Sequence, residues 1–433
     1  MKRKRRAQYG IASGFLRQRG GHTSVHFDLI VKGGTVLDPE SGARTRADVG
    51  VVDGVVRAID PDLPSADTPE LIDARGSLVL PGLVDGHTHV YWGGTPLGVD
   101  PDALAAASGV TAWIDTGSAG AGNVEGLVRH VIERSPLTIK AFVHLSYVGL
   151  VPAGHTDLRF GELFDHRLAD VGACLRALRE HAPHVLGVKI RLGTNSTGPN
   201  GLSSLQAARA VADASGLRLM VHVADPPPLL PDVLPYLHAG DLVTHTCTPG
   251  LMGILDAAGR VRDEVWRARE RGVLFDLGHG SGSFSFAVAR RALEQGFVPD
   301  ILSSDLHAYN VDGPVFDLPT TLTKYLALGL SLAETLCRAT RVPGRLLGED
   351  VGTLRVGARA DIAVLRLESG SFGLGDSTGE VVDHHERLAV HATVLAGRRI
   401  VADPTVRPQG KRKPGLPPID RRLTPPAGHA PAR

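Results

Sequence analysis

From residue 77 to residue 308 short apolar runs alternate with longer amphipathic stretches. The runs are SLVLPGLVDGH, VTAWIDTG, IKAFVHLSY, VLGVKIRLG, LRLMVHVAD, DLVTHTCTP, GVLFDLGHG and DILSSDLHA, eight in all. Between them lie segments such as NVEGLVRHVIERS, LADVGACLRALREH and SLQAARAVADASG, with apolar residues three and four apart, the spacing of one helix face. A recurrence of roughly 25 to 45 residues is the length of a βα unit, so the pattern predicts an α/β fold, a TIM-type (β/α)8 barrel over 81–345. A doubly wound open sheet is the competing arrangement, but no G-x-G-x-x-G follows the first run.

The flanks have a different texture. FDLIVKGGTVLD, ADVGVVDGVVRAID and ELIDARGSLVLP on one side, VGTLRVGARADIAVLRL and HATVLAGRRIV on the other, are short β-like pieces broken by Gly and Asp-Pro turns. Segments 25–80 and 346–404 are therefore expected to form one small β-sandwich domain built from both chain ends. Residues 405–433 are rich in Pro and Arg and poor in apolar side chains, and are expected to be disordered. Residues 1–24 open with the charge run MKRKRR, with no apolar core that would make it a secretory signal, and are read as a disordered basic extension.

Charge and cysteine usage narrow the partners. Lys and Arg total 47 against 46 for Asp and Glu, so the chain as a whole has no basic field to draw nucleic acid. No stretch reaches the roughly 18 to 20 uninterrupted apolar residues of a membrane span. Cys174, Cys247 and Cys337 are few, odd in number and far apart, which argues against a disulfide framework and a thiolate metal site. The expected setting is a reducing cytoplasm and the expected partner a small-molecule substrate. A homo-oligomer is left open.

The candidate chemistry sits at the ends of the apolar runs. In PGLVDGHTHVYWGG, His87 and His89 are one strand period apart and project the same way, as two ligands of one metal ion must. Lys189 ends the fourth run, His222 the fifth, His245 the sixth and Asp305 the eighth. In a barrel of parallel strands these ends share one mouth, and buried polar groups gathered there need a purpose, because unpaired burial is costly. A lysine repels a cation, but a buried lysine loses its charge readily, and the free amine adds carbon dioxide to give an anionic carbamate. Between 81 and 345 the only lysines are Lys140, Lys189 and Lys324 in a segment full of arginine. Tyr91, Trp92, His279 and His307 are weaker candidates for contacting substrate, and Cys247 is expected to be a small buried filler.

With these residues in place the sequence resembles the amidohydrolase superfamily, and within it the deacetylase-type metal-dependent hydrolases related to D-aminoacylases and dihydroorotases. PGLVDGHTHVYWGG, GVKIRL, MVHVAD, DLVTHTCTPG, FDLGHGSGSFSF, SSDLHAYNVDGPVFDLPTTLTK and GTLRVGARADIAVL match in kind and order over nearly the whole chain. The resemblance implies two divalent metal ions, zinc by the imidazole and carboxylate donors: His87, His89 and Asp305 on the more buried ion, His222 and His245 on the outer one, and Lys189 bridging them as N6-carboxylysine. It implies a hydroxide shared by both ions as nucleophile, with Asp305 as general base. The expected reaction is deacylation of a small acylated α-hydroxy or α-amino carboxylate, an acetyl ester or N-acyl amide. Hydrolysis of a cyclic amide is the alternative within the superfamily, and a catalytically inactive barrel serving as an assembly scaffold is the alternative outside it. The loop GLVPAGHTDLRFGELFDH is left unassigned.

Overall fold

The computed structural model describes residues 26–153, 160–250, 253–403 and 410. The basic extension at 1–24 and nearly all of the Pro/Arg-rich tail at 405–433 lie outside them. No helix among the described residues is long and apolar enough to cross a membrane.

Two sheets organise the chain. The first contains β1 (Leu29–Leu37), β2 (Arg44–Val52), β3 (Val55–Asp60), β4 (Glu70–Asp73) and β5 (Leu78–Pro81) from before the barrel, and β13 (Ile362–Gly375), β14 (Val381–Leu395) and β15 (Arg398–Ile400) from after it. Its order is β15-β14-β13-β5-β1-β2-β3, with β4 also paired to β1. Alternation along β1 sends Leu29 and Val31 into one apolar cluster with Val49, Ile72, Ile362 and Val394, and Ile30 into another with Phe27 and Leu63. This is the small sandwich domain.

The second sheet is parallel and curled, its strands in chain order: β6 (Leu83–Thr88), β7 (Val110–Gly120), β8 (Thr138–His144), β9 (Val185–Leu192), β10 (Arg218–Val223), β11 (Leu242–Thr244) and β12 (Leu274–Phe275). The eighth stave is irregular. Leu277, His279 and Gly280 donate backbone hydrogen bonds to Ile301, Ser303 and Ser304, while Asp305 donates to the His87 carbonyl at 2.8 Å and His89 to that of Leu306 at 3.0 Å, closing a TIM-type barrel. Asp305 interrupts the extended backbone with a positive φ of 49°, which is why no regular strand forms there. The first apolar run, whose segment Leu78–Val84 reads as one strand, divides at Gly82: β5 belongs to the sandwich and β6 to the barrel. The Gly82 amide turns out to the Asp361 carbonyl.

Helices cover the barrel where the amphipathic segments predict them, as at Val171–Glu180 and Gly201–Ser215. Inside, Val84, Ile114, Phe142, Leu186, Met220, Leu242 and Ile301, drawn from seven staves, plug the lumen with Leu346 and Leu347. That apolar floor leaves the C-terminal strand ends as the place where polar groups converge. On β9 a bulge resets the alternation: Ala141 pairs with Val185 and Phe142 with Gly187, so Leu186 points to the floor while Val188, Ile190 and Leu192 pack outward. Gly187 is required there, since a Cβ would lie 2.0 Å from the Arg218 carbonyl. The reset turns Lys189 and Arg191 inward.

Candidate metal centre and active-site cavity

Period-two alternation carries the polar side chains above the floor. On β10, Leu219 and Val221 pack outward and Met220 faces the lumen, so His222 follows it into the mouth. His87, His89, Lys189, His222, His245 and Asp305 all line one cavity of about 840 Å³. The His222 and His245 rings are 4.2 Å apart at their centroids, His87 and His245 5.2 Å, and His87 and His89 5.9 Å. Asp305 Oδ1 lies 3.4 Å from His87 Nε2 and 3.3 Å from His89 Nε2.

Three of the imidazoles are held by their Nδ1 atoms. His245 Nδ1–H donates to the Gly278 carbonyl at 2.7 Å, and His89 Nδ1 lies 2.9 Å from Ser118 Oγ. His87 Nδ1 is 2.8 Å from both Asp276 Oδ2 and Thr244 Oγ1. Asp276 in turn accepts from Thr244 at 2.6 Å and Ser303 at 2.5 Å. Fixing one ring nitrogen leaves the other oriented, the usual arrangement of metal-ligating histidines. Both His245 and Asp305 have positive φ, 65° and 49°, strain that persists where the surroundings over-determine a side-chain position.

Burial pushes the His245 imidazole down to about 3 and holds His222 and His87 below the ordinary histidine value, so these rings present lone pairs. Burial also brings the Lys189 ammonium from 10.5 to about 7. For Asp305 burial acts in the opposite sense, but the electrostatic pull of His87, His307 and His89 outweighs it and keeps the carboxyl ionised. One donor atom each of His87, His245 and Asp305 lies within 4.8 Å of the others. Among the described residues, Lys189 Nζ and Asp305 Oδ1 are buried without a hydrogen-bond partner, which proteins rarely tolerate. Neutral imidazoles around an ionised carboxylate with an unused oxygen form a donor set that fits a divalent cation.

A deacetylase of Agrobacterium fabrum is 34% identical over 366 residues, which take in 83% of this chain and 88% of the relative. The chain belongs to the amidohydrolase superfamily. Its branch is that of the deacetylases, and a second deacetylase, from Brucella anthropi, is 35% identical over 81% of this chain and 86% of its own. A crystal structure of a dihydroorotase superposes with a TM-score of 0.79 at 31% identity, covering 86% of this chain and 97% of that one. No family model matches. As a member of this superfamily the chain is a metal-dependent hydrolase.

The weaker site expectations meet different surroundings. His307 lines the cavity, its Nδ1 accepting from the Tyr309 amide at 3.1 Å. Tyr91, Trp92 and His279 are not among the lining residues. Tyr91 donates to the Asn123 carbonyl at 3.0 Å, and Trp92 is 57% exposed. His279 holds the loop: Nδ1–H donates to the Gly280 carbonyl at 2.8 Å, Nε2 accepts from Lys324 Nζ at 2.7 Å, and the ring lies 4.5 Å from that of Phe284. Cys247 is buried beside the Tyr325 hydroxyl, 3.3 Å away. Four polar residues near the mouth escaped the sequence reading. Asp276 precedes the GHG turn in a run taken for core; Arg191 follows Lys189 by one strand period; His144 ends the third run; Glu162 lies in the loop left unassigned. For the first three, the alternation that found Lys189 carried the signal.

Proposed function

We propose that this enzyme removes the acyl group from a small acylated α-hydroxy or α-amino carboxylate, an acetyl ester or N-acyl amide, and that it does so with two divalent ions, zinc by donor type. The observation that carries the reading is the pair of orphaned buried atoms, Lys189 Nζ and Asp305 Oδ1, among three imidazoles already oriented by their Nδ1 partners. His87, His89 and Asp305 would hold one ion, His222 and His245 the other, with Lys189 common to both once its amine has become a carbamate. Its depressed pKa leaves a reactive fraction of neutral amine near neutral pH. The ions supply Lewis acidity toward the scissile carbonyl and lower the pKa of a water molecule.

The chain's own residues do the rest. Asp305 takes the proton of the attacking water and returns it to the departing oxygen or nitrogen as the acyl carbon–heteroatom bond breaks, so water is divided between the two products. Ser118, Asp276 and the Gly278 carbonyl keep the imidazoles aligned. The apolar residues Leu97, Leu150, Phe160 and Phe164 in the cavity wall limit bulk water around the reacting groups.

Metal analysis of Lys189→Ala tests the centre. Wild type should carry about two ions per chain. The variant should lose at least one of them with most of its turnover, and a short-chain carboxylic acid added with fresh metal should restore part of it. A full metal complement and unchanged turnover in Lys189→Ala would overturn the two-ion reading. Acetylated hydroxy acids, N-acyl-D-amino acids and cyclic ureides assayed side by side test the substrate class: ring opening of the ureides alone would move the enzyme to the cyclic-amide hydrolases.

A further inference from the structure

Beside His222, whose strand partner is Arg191, stands a polar cluster that the metal centre does not use. Arg191 follows Lys189 on β9 by one strand period, so both side chains leave the same face of the strand. Its guanidinium lines the cavity and is 20% exposed. Among the described residues it makes no hydrogen bond. Its one close partner is Glu162 Oε1, 3.5 Å from Nη1, beyond hydrogen-bonding distance. Glu162 Oε1 is buried and likewise without a hydrogen bond. Behind it, His144 Nδ1 accepts from the Ser146 amide at 2.9 Å, which places the proton of the neutral ring on Nε2, facing Glu162 Oε1 at 3.6 Å.

An arginine fork has five donors arranged to match a planar anion, and this one opens, unfilled, into the cavity that holds the hydrolytic groups. We propose that Arg191 binds the substrate's α-carboxylate and so selects for acylated acids over their neutral analogues. The proposal rests on the deacylase reading above and specifies which group of the substrate is read. The span is suitable: three bonds separate an acyl carbon from the α-carboxylate carbon, and one further hydrogen bond of about 2.9 Å reaches a distance comparable to the strand period of about 6.7 Å between Lys189 and Arg191. Glu162 shares this end of the cavity, its Oε1 3.5 Å from the fork. Leu150, Pro152 and Phe164, on the segment that supplies Glu162, give the same part of the cavity an apolar surface for the substrate's carbon side chain.

The test uses phenyllactate and its carboxamide, which share the hydroxyl and the aryl group and differ in charge. Binding to the metal-loaded enzyme is measured by calorimetry, together with kcat/KM for the O-acetyl derivative of each. Wild type should favour the acid by roughly 10- to 100-fold, the weight of a charge-assisted bidentate contact. Arg191→Met should bind acid and amide alike while holding the amide as wild type does, which also shows that it is folded. Arg191→Lys, which keeps the charge but not the fork, should fall between them and serves if the methionine variant does not fold. A preference for the acid that survives in both variants, or that wild type lacks, overturns the proposal. If the O-acetyl ester is not hydrolysed while acid binding still depends on Arg191, the deacylase reading fails and the carboxylate site stands.

Discussion

Lys324 is a second buried lysine, and its burial has a measurable cost. It extends from the helix Leu318–Ala327 with 1% of its surface exposed, donating to the Pro314 carbonyl at 2.8 Å and to His279 Nε2 at 2.7 Å. Burial lowers its pKa from 10.5 to about 7, against the smaller opposing pull of Asp376 and Asp317. Between those two values the unfolded chain binds a proton that the folded chain does not, so stability rises with pH over that interval and is lost again as pH falls toward 7. At about 1.4 kcal/mol per pH unit the whole interval is worth about 5 kcal/mol. Lys324→Met fills the same space without a titratable group and should remove this dependence. In urea unfolding at pH 7.5 and 9.5, wild type should therefore gain roughly 2 to 3 kcal/mol more than Lys324→Met over the two pH units. Other titrating groups are common to both proteins and cancel in the difference. Parallel stability profiles would refute the reasoning, because they would mean that Lys324 keeps an ordinary charge inside the fold.

Two further substitutions probe the supports of the metal centre. Asp276→Asn removes the charge that His87 Nδ1 and the hydroxyls of Thr244 and Ser303 share, and should weaken divalent-ion binding by roughly 10- to 100-fold in a chelator competition. Unchanged affinity would reduce Asp276 to a packing residue. Gly280 has φ of 55°, and a Cβ there would lie 2.4 Å from Asp305 Oδ2. Gly280→Ala should displace the Asp305 carboxylate, lowering kcat at least tenfold, as expected when a positioned catalytic group moves by about 1 Å, while thermal unfolding shifts far less. Wild-type kcat would show that the loop gives way instead.

What was legible in the sequence follows from period and position. Six residues at the ends of apolar runs could be found because strand alternation is local, and parallel strands bring their C-terminal ends together without knowledge of any tertiary contact. The division at Gly82 was hidden, since LVLPGLV is equally apolar on both sides of the boundary between two sheets. The eighth stave read as an ordinary strand because nothing in SSDLH announces the left-handed backbone of Asp305. Lys324, in a helix reading LPTTLTKYLA, has the pattern of a solvated residue, and the residues that bury it, His279, Phe284 and Pro314, come from outside that helix. Glu162 lies in a loop with no periodicity, where position carries no information about direction. His279 was drawn toward substrate by its place in a glycine-rich turn, whereas its partners come from elements that follow it in the chain.

The sandwich domain gives the enzyme an order of assembly. β5 lies between β1, made before the barrel, and β13, made after it. During synthesis the edge of β5 that pairs with β13 therefore waits without a partner until the last strands emerge, a contact of high sequence separation and correspondingly slow formation. Those late strands also carry the turn that braces the mouth: Ser377 Oγ donates to the Gly280 carbonyl at 3.3 Å, and Asp376 accepts from the Phe286 amide at 3.0 Å. A nascent chain thus owns every residue proposed as a ligand well before it owns a rigid loop beside Asp305. Competence arrives with the β13–β14 hairpin, so a chain interrupted after the barrel would be a hydrolase with its ligands present and its cavity unbraced.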